Sequence, residues 1–189
     1  AFKAYEGRDD VLKLHAGDAN TGTLYYTLFK GQADADLMNT ICFDAMAAGN
    51  HEFDDGDAQF KSFIDHLHTG ACQTPVLAAN VKPQVGTPLA PKATDDYLKP
   101  YTIKTVKGVQ VGIIGLTVKG KTQNSSSPLA TTVFEDEAVA AQRIIDQLKG
   151  QGVKHIVLLT HIGYQADKAM AARLTDVDAI IGGDSHTLL

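Results

Sequence analysis

Residues 47–54, AAGNHEFD, place several chemically capable side chains directly after an apolar run. An amide, an imidazole and two carboxylates follow the glycine, although a turn needs only one or two such residues. Asn50, His51 and Asp54 are therefore candidate site residues. Their oxygen and nitrogen donors suit a site for Mn²⁺, Zn²⁺ or Fe²⁺ that has no thiolate ligands.

Similar side chains close three other apolar runs. LHAGD ends in Asp18, IVLLTH ends in His161, and AIIGGDSH ends in Asp184 and His186. Ligands of open α/β sheets bind outside the carboxyl ends of the strands, so these positions would meet in space. Each position taken alone also fits a turn, a helix cap or a buried histidine. Their number in one chain favours a single metal site.

An α/β framework would position these residues, because short apolar runs alternate with segments of helical period. The predicted strands lie at 11–17, 45–49, 75–81, 155–160 and 177–183, with a hairpin at 101–117 that turns at Lys107-Gly108. The predicted helices lie at 33–46, 54–70, 135–149 and 164–174. Loops are expected at 82–99 and at 120–134, which contains SSS at 125–127. Strands rich in Val, Ile and Leu predict one domain with a largely parallel core.

Composition excludes some functions. The net charge is −5, so the chain lacks the basic surface of a nucleic-acid-binding protein. An anionic substrate would need local positive charge, most simply from metal ions. No apolar run approaches the roughly 18 residues of a membrane span, and the charged start has no signal-peptide core. Cys42 and Cys72 are too few for a disulfide framework, and Cys42 is expected on an apolar helix face.

The motifs together resemble the catalytic domain of the 5'-nucleotidase family, within the calcineurin-like metallophosphoesterases. The resemblance rests on GDANTG, FDAMAAGNHEFD, PVLAANV, VGIIGLT, LLTHIG and IIGGDSHTLL, which occur in the family's order over residues 17–189. It is strongest for the bacterial periplasmic group that includes UDP-sugar hydrolases and NAD pyrophosphatases. The resemblance implies an α/β sheet sandwich flanked by helices, a small-molecule nucleotide substrate, and a periplasmic or otherwise exported protein.

The resemblance also implies two divalent metal ions, such as Mn or Zn, and a metal-bound hydroxide that attacks phosphorus. Asp18 would bridge the two ions, and Asn50 and His161 would bind the second. His51 would contact the phosphate and stabilise the charge of the transition state. Asp54 would orient His51, as a supporting carboxylate does.

The remaining ligands depart from the family pattern. Asp184 stands where the family usually has a histidine ligand of the second metal, and His186 would bind the first metal. The family's opening D-x-H motif is absent, because Asp9 and Asp10 have no histidine two positions later. The family's last strands and its C-terminal nucleotide-binding domain are also expected to be missing. We therefore expect weak or no activity from residues 1–189 alone.

The sequence leaves alternative functions open. The same site could serve a pyrophosphatase that cleaves NAD or UDP-sugars, or a cyclic phosphodiesterase. A module that kept the fold but lost its metal centre would also fit Asp184 and the missing D-x-H motif. An α/β domain that binds a ligand without metal is disfavoured by GNHEFD and LLTHIG.

Overall fold

The structure, a computed structural model, describes residues 2–188. Nine strands and six α-helices form within these residues. The strands are β1 (Leu14–His15), β2 (Ala45–Ala47), β3 (Val76–Leu77), β4 (Val81–Lys82), β5 (Tyr101–Val106), β6 (Val109–Thr117), β7 (Val133–Phe134), β8 (His155–His161) and β9 (Ala179–Gly182). The helices are α1 (Leu24–Phe29), α2 (Gln32–Ile41), α3 (Gly56–Leu67), α4 (Lys119–Ser125), α5 (Glu137–Gly150) and α6 (Tyr164–Ala171).

The strands form two main sheets and a small ribbon. One sheet has the order β1-β2-β3 and is parallel throughout. The other has the order β5-β6-β8-β9, in which the β5-β6 hairpin is antiparallel and the remaining pairs are parallel. Strands β4 and β7 pair as an antiparallel ribbon. Both main sheets therefore bring the carboxyl ends of parallel strands to one edge.

The two sheets pack face to face with helices on both outer sides. Small and branched side chains fill the space between them: Ala45, Ala47, Leu77, Ile113 and Leu159. A Cβ on Gly115 would lie 2.5 Å from the carbonyl oxygen of Leu77, so only glycine permits this close approach. Helices α2 and α3 cover the outer face of the first sheet, and α5 and α6 cover that of the second. The predicted sheet sandwich flanked by helices is confirmed.

Local signals identified several elements correctly. The hairpin turns at Lys107 and Gly108, which both have positive φ (47° and 81°), as a two-residue type I′ turn requires. Helix α5 begins after Asp136, whose side chain accepts the backbone N–H of Val139 at 3.0 Å. None of the helices in residues 2–188 combines the length and apolar character needed to cross a bilayer.

Other predicted elements were wrong in part. Residues 120–134 were expected to form a loop, but α4 occupies Lys119–Ser125 and β7 lies at Val133–Phe134. Helix α1 was not predicted; the side chain of Thr23 caps it by accepting the N–H of Tyr26. Short elements of this kind depend on tertiary contacts more than on their own sequence period.

The predicted helix at 33–46 ends early, and this changes the role of its cysteine. Helix α2 stops at Ile41, and Cys42 follows it in a left-handed conformation (φ 55°). Cys42 is exposed and forms a disulfide with Cys72, 30 residues away. The prediction of an apolar helix face for Cys42 was therefore wrong, because the helix terminus turns this side chain towards the segment before β3.

Candidate active site

Side chains from four separate strand ends converge in the structure. The carboxylate of Asp18, after β1, lies 3.0 Å from Nε2 of His161, the last residue of β8. Its other oxygen accepts the backbone N–H of His51, after β2, at 3.0 Å. Oδ1 of Asp184, after β9, lies 3.7 Å from Nε2 of His161. The structure therefore brings together four of the residues selected from the sequence: Asp18, His51, His161 and Asp184.

Two buried polar atoms in this cluster lack a hydrogen-bond partner. They are Oδ1 of Asn50 and Nε2 of His161, and each residue is only 2% exposed. The other ring nitrogen of His161, Nδ1, lies 2.6 Å from the carbonyl oxygen of Ala16. A carbonyl can only accept, so Nδ1 carries the proton and the lone pair of a neutral ring faces Asp18 from Nε2.

That arrangement fits a cation. A lone pair on His161 Nε2 and a carboxylate oxygen of Asp18 would repel each other at 3.0 Å unless a proton or a metal ion lay between them. Burial lowers the pKa of His161, but the neighbouring Asp18 carboxylate outweighs it, so the net shift is upward. Burial raises the pKa of Asp18, but His161 and His51 more than offset it and the net shift is downward. Oxygen and imidazole donors of this kind bind divalent metals.

His51 and Asp54 form a second, more open pair. Nδ1 of His51 lies 2.6 Å from Oδ2 of Asp54, and the His51 side chain is 47% exposed. The hydrogen bond with Asp54 is the main cause that raises the pKa of His51, and the charge of Asp18 adds to it. Nε2 of His51 lies 4.0 Å from Asp18. The ring can therefore present an N–H to an anion bound beside Asp18.

Glu52 holds the backbone of this site and was not selected from the sequence. Its carboxylate is 1% exposed and accepts four backbone N–H groups, those of Asp18 (3.0 Å), Ala19 (2.7 Å), Asn20 (3.1 Å) and Gly49 (2.6 Å). Burial, followed by the charge of Asp18, raises the pKa of Glu52. The sequence signal for Glu52 is its position inside GNHEFD, because an acidic residue beside candidate metal ligands can serve as a buried acceptor of backbone N–H groups.

The last two expected ligands differ in placement. Asp184 has positive φ (82°), is 11% exposed and forms an ion pair with Lys121 of α4. His186 is exposed and lines an open cavity of about 490 Å³ together with Asp184, yet it makes no ion pair with a carboxylate in residues 2–188. Across the same residues, no group of three or more His, Cys, Asp or Glu side chains is arranged to hold a metal ion. The ligand set predicted from the sequence stays a prediction.

Comparison with known proteins identifies the family to which this fold belongs. The family model of the calcineurin-like phosphoesterases matches residues 2–188. The chain belongs to the calcineurin-like phosphoesterase family. Members of this family are hydrolases that generally use divalent metal ions, in agreement with the unpartnered donors of the site.

Several relatives of this chain are named as nucleotidases. The NAD 5'-nucleotidase of Haemophilus influenzae is 45% identical over 177 residues, which cover 94% of this chain and 28% of that protein. The 5'-nucleotidase of Homo sapiens is 42% identical over 180 residues, with coverages of 95% and 30%. The chain thus spans less than a third of the length of these relatives.

Solved structures of related nucleotidases have the same fold as this chain. The 5'-nucleotidase precursor of Thermus thermophilus superposes with a TM-score of 0.89 and 38% identity, covering 99% of this chain and 35% of that one. The NAD nucleotidase of H. influenzae superposes with a TM-score of 0.86 and 45% identity, covering 94% and 33%. These identities extend the likeness from the fold to the sequence.

Proposed function

We propose that the protein hydrolyses nucleotide phosphoesters as a metal-dependent 5'-nucleotidase and that residues 1–189 supply its catalytic site. Two observations carry the proposal: Oδ1 of Asn50 is buried without a partner, and Nε2 of His161 lies so close to the Asp18 carboxylate that a proton or a cation must lie between them. An unpaired buried acceptor such as Asn50 Oδ1 costs about 1–3 kcal/mol, and a bound metal ion would offset that cost. The names of the nucleotidase relatives support a nucleotide as the substrate class.

Two divalent ions are the proposed cofactors. The residues that would hold them are Asp18, Asn50, His161, Asp184 and His186. When bound, the ions supply Lewis-acid chemistry that activates water and neutralises charge on the phosphate. Asp184 pairs with Lys121, so a bound metal ion would compete with this ammonium group for the carboxylate.

The chain's own catalytic group is His51. Its ring is held by Asp54 through Nδ1, which leaves Nε2 free to donate a hydrogen bond to a phosphate oxygen. The carboxylate also favours the protonated ring, since it raises the pKa of His51. A positioned cationic donor of this kind stabilises the negative charge that grows as the phosphoester bond breaks.

Cleavage of NAD is a second candidate activity, because the H. influenzae relative is named as an NAD 5'-nucleotidase. Recognition of the base would come from parts of the full-length protein outside this chain, whose relatives are about three times longer.

We also propose that the protein is exported to the periplasm or beyond the cell. The Cys42–Cys72 disulfide supports this location, since such bonds persist mainly in oxidising compartments. A relative described as a precursor gives further support.

Calorimetric titration of the chain with Mn²⁺ tests the metal site. We expect binding to the wild-type chain and a loss of at least tenfold in affinity for Asn50→Ala, which removes one unpartnered donor. Asn124→Ala, at an exposed position, is the matched control and should bind as wild type does. Equal affinity of the Asn50 variant and wild type would contradict the proposed ligand set.

Hydrolysis assays test the reaction. The full-length protein with Mn²⁺ should release phosphate from AMP, and His51→Asn should lower kcat by about 100-fold, the usual range for a lost charge-stabilising donor. His155→Asn, an exposed histidine of β8, should leave kcat unchanged. NAD and a cyclic nucleotide run in parallel would separate the substrate classes. No turnover of any phosphoester would favour a module that kept the fold without activity.

A further inference from the structure

Asp54 has a second partner from a distant part of the chain. While its Oδ2 faces His51, its Oδ1 accepts the hydroxyl of Ser126 at 2.8 Å. The same hydroxyl lies 2.9 Å from the backbone carbonyl of Asn50. Ser126 belongs to the SSS stretch that the sequence assigned only to a polar loop, and it follows directly after α4. Its side chain therefore touches the backbone of a proposed metal ligand and the carboxylate that holds His51.

The segment that carries Ser126 is anchored independently of this hydroxyl. The backbone N–H of Ser127 donates to the carbonyl of Phe53 at 3.0 Å. Farther along, the N–H of Leu129 and the hydroxyl of Thr132 donate to the two oxygens of Asp57, at 2.9 and 2.5 Å. These bonds fix residues 126–132 against residues 53–57, so the Ser126 hydroxyl is presented by a preformed backbone.

Only the middle serine of the three is turned inward. Ser126 is partly buried, whereas Ser125 and Ser127 are exposed. A structural role in the loop would need no contact with Asp54, because the backbone bonds already hold the segment. Instead, the Ser126 hydroxyl binds Oδ1 of Asp54, the carboxylate oxygen that His51 does not contact.

We propose that Ser126 is a positioning residue, which fixes the carboxylate of Asp54 and through it the ring of His51. This inference rests on the proposed function, in which His51 faces the phosphate. The terminal torsion of an aspartate is broad, so one partner at Oδ2 does not define the plane of the carboxylate. A second hydrogen bond at Oδ1 defines it and keeps Oδ2 directed at Nδ1 of His51.

The expected kinetic signature follows from this geometry. A loosely held His51 still allows substrate to bind, but it stabilises the transition state less well, so kcat falls while KM changes little. Losing a supporting hydrogen bond of this kind typically costs about 10- to 100-fold in activity. The full-length Mn²⁺ protein with AMP as substrate should show this loss for Ser126→Ala and recover most of it with Ser126→Thr, which restores the hydroxyl. Ser125→Ala is the matched control and should retain wild-type kcat.

A second readout does not depend on turnover. Long-range ¹⁵N–¹H NMR at a pH above the His51 pKa, where the ring is neutral, should show one ordered state with the proton on Nδ1 facing Asp54, in wild type and in Ser125→Ala. In Ser126→Ala the signal should broaden or shift towards a mixture of tautomers. If the Ser126 variant unfolds, Ser126→Cys keeps the volume with a weaker donor and allows the same comparison.

The two readouts separate the two proposals. Unchanged kcat and an unchanged His51 signal in Ser126→Ala would overturn the role of Ser126. If no phosphoester is hydrolysed by wild type, the proposed function fails, and the NMR comparison still decides whether Ser126 orders His51. A change in KM alone, with kcat and the His51 signal preserved, would also contradict a positioning role.

Discussion

The backbone N–H of Asp18 donates to the buried carboxylate of Glu52 at 3.0 Å, which ties the loop after β1 to the turn after β2. The two residues are 34 positions apart, and Glu52 accepts three further amides from the same two loops. The proposed ligands Asp18 and Asn50 lie on these loops. Glu52 therefore sets the distance between them without facing the open side of the site.

Replacing Glu52 by Gln should destabilise the chain and weaken metal binding. Both carboxylate oxygens face N–H donors, so either orientation of the amide places an NH₂ group against a donor. The loss should be about 2–3 kcal/mol in the free energy of unfolding, measured in urea. Glu6→Gln, at an exposed position, is the control and should change stability by less than about 0.5 kcal/mol. Wild-type stability and Mn²⁺ affinity in Glu52→Gln would contradict this view.

Gly49 is predicted to accept no side chain. A Cβ there would lie 2.5 Å from the backbone nitrogen of Asp18 and 2.8 Å from Oε2 of Glu52. Gly49→Ala must push the two loops apart, so unfolding free energy should fall by about 1–3 kcal/mol, and Mn²⁺ affinity should fall with it. Gly120→Ala on α4, where a Cβ meets nothing within 4 Å, should be neutral or slightly stabilising. Equal effects of the two substitutions would show that the close approach is not needed.

The His51–Asp54 pair should make stability depend on pH in the metal-free chain. The pKa of His51 is raised, mainly by its hydrogen bond with Asp54, so folding favours the protonated ring. This stabilisation is fully present below the pKa of an unfolded histidine, near 6.5, and is lost as pH rises through the higher folded pKa. Asp54→Asn should lower the NMR-measured pKa of His51 and reduce stability more at pH 5.5 than at pH 8.5.

The exposed carboxylate Asp36 on α2 provides the control for that titration. Asp36→Asn should leave the His51 titration midpoint in place. If Asp54→Asn raised the midpoint, or left it where it was, the pair would not control the protonation of the ring.

The disulfide should contribute measurably to stability. Cys42 and Cys72 close a loop with a sequence separation of 30, for which chain entropy predicts about 3–4 kcal/mol. Reduction should lower the melting temperature by roughly 6–15 °C, at about 2–4 °C per kcal/mol for a chain of this size. The double variant Cys42→Ser/Cys72→Ser should melt at the reduced temperature and ignore the reductant. A melting temperature that reductant leaves unchanged in wild type would show that the bond does not stabilise the fold.

The sequence by itself determined the α/β class, the long helices, the β5-β6 hairpin and the positions where functional side chains gather. These features depend on local physics. The period of apolar residues identifies a helix or strand, a dipeptide such as Lys107-Gly108 identifies a tight turn, and polar residues after apolar runs mark strand ends. Parallel pairing aligns such strand ends within each sheet, but Asp18 follows β1 of one sheet and His161 ends β8 of the other, so their contact also depends on how the two sheets pack.

Only the tertiary structure decided which side chains support the site. Glu52 accepts an N–H 33 residues away in the sequence, and Ser126 meets Asp54 across 72 residues. The Cys42–Cys72 bond and the short helix α4 likewise depend on which segments pack together. Sequence periodicity carries no information about such partners, because a hydroxyl or a carboxylate satisfies its hydrogen bonds with whichever group the completed fold places within about 3 Å.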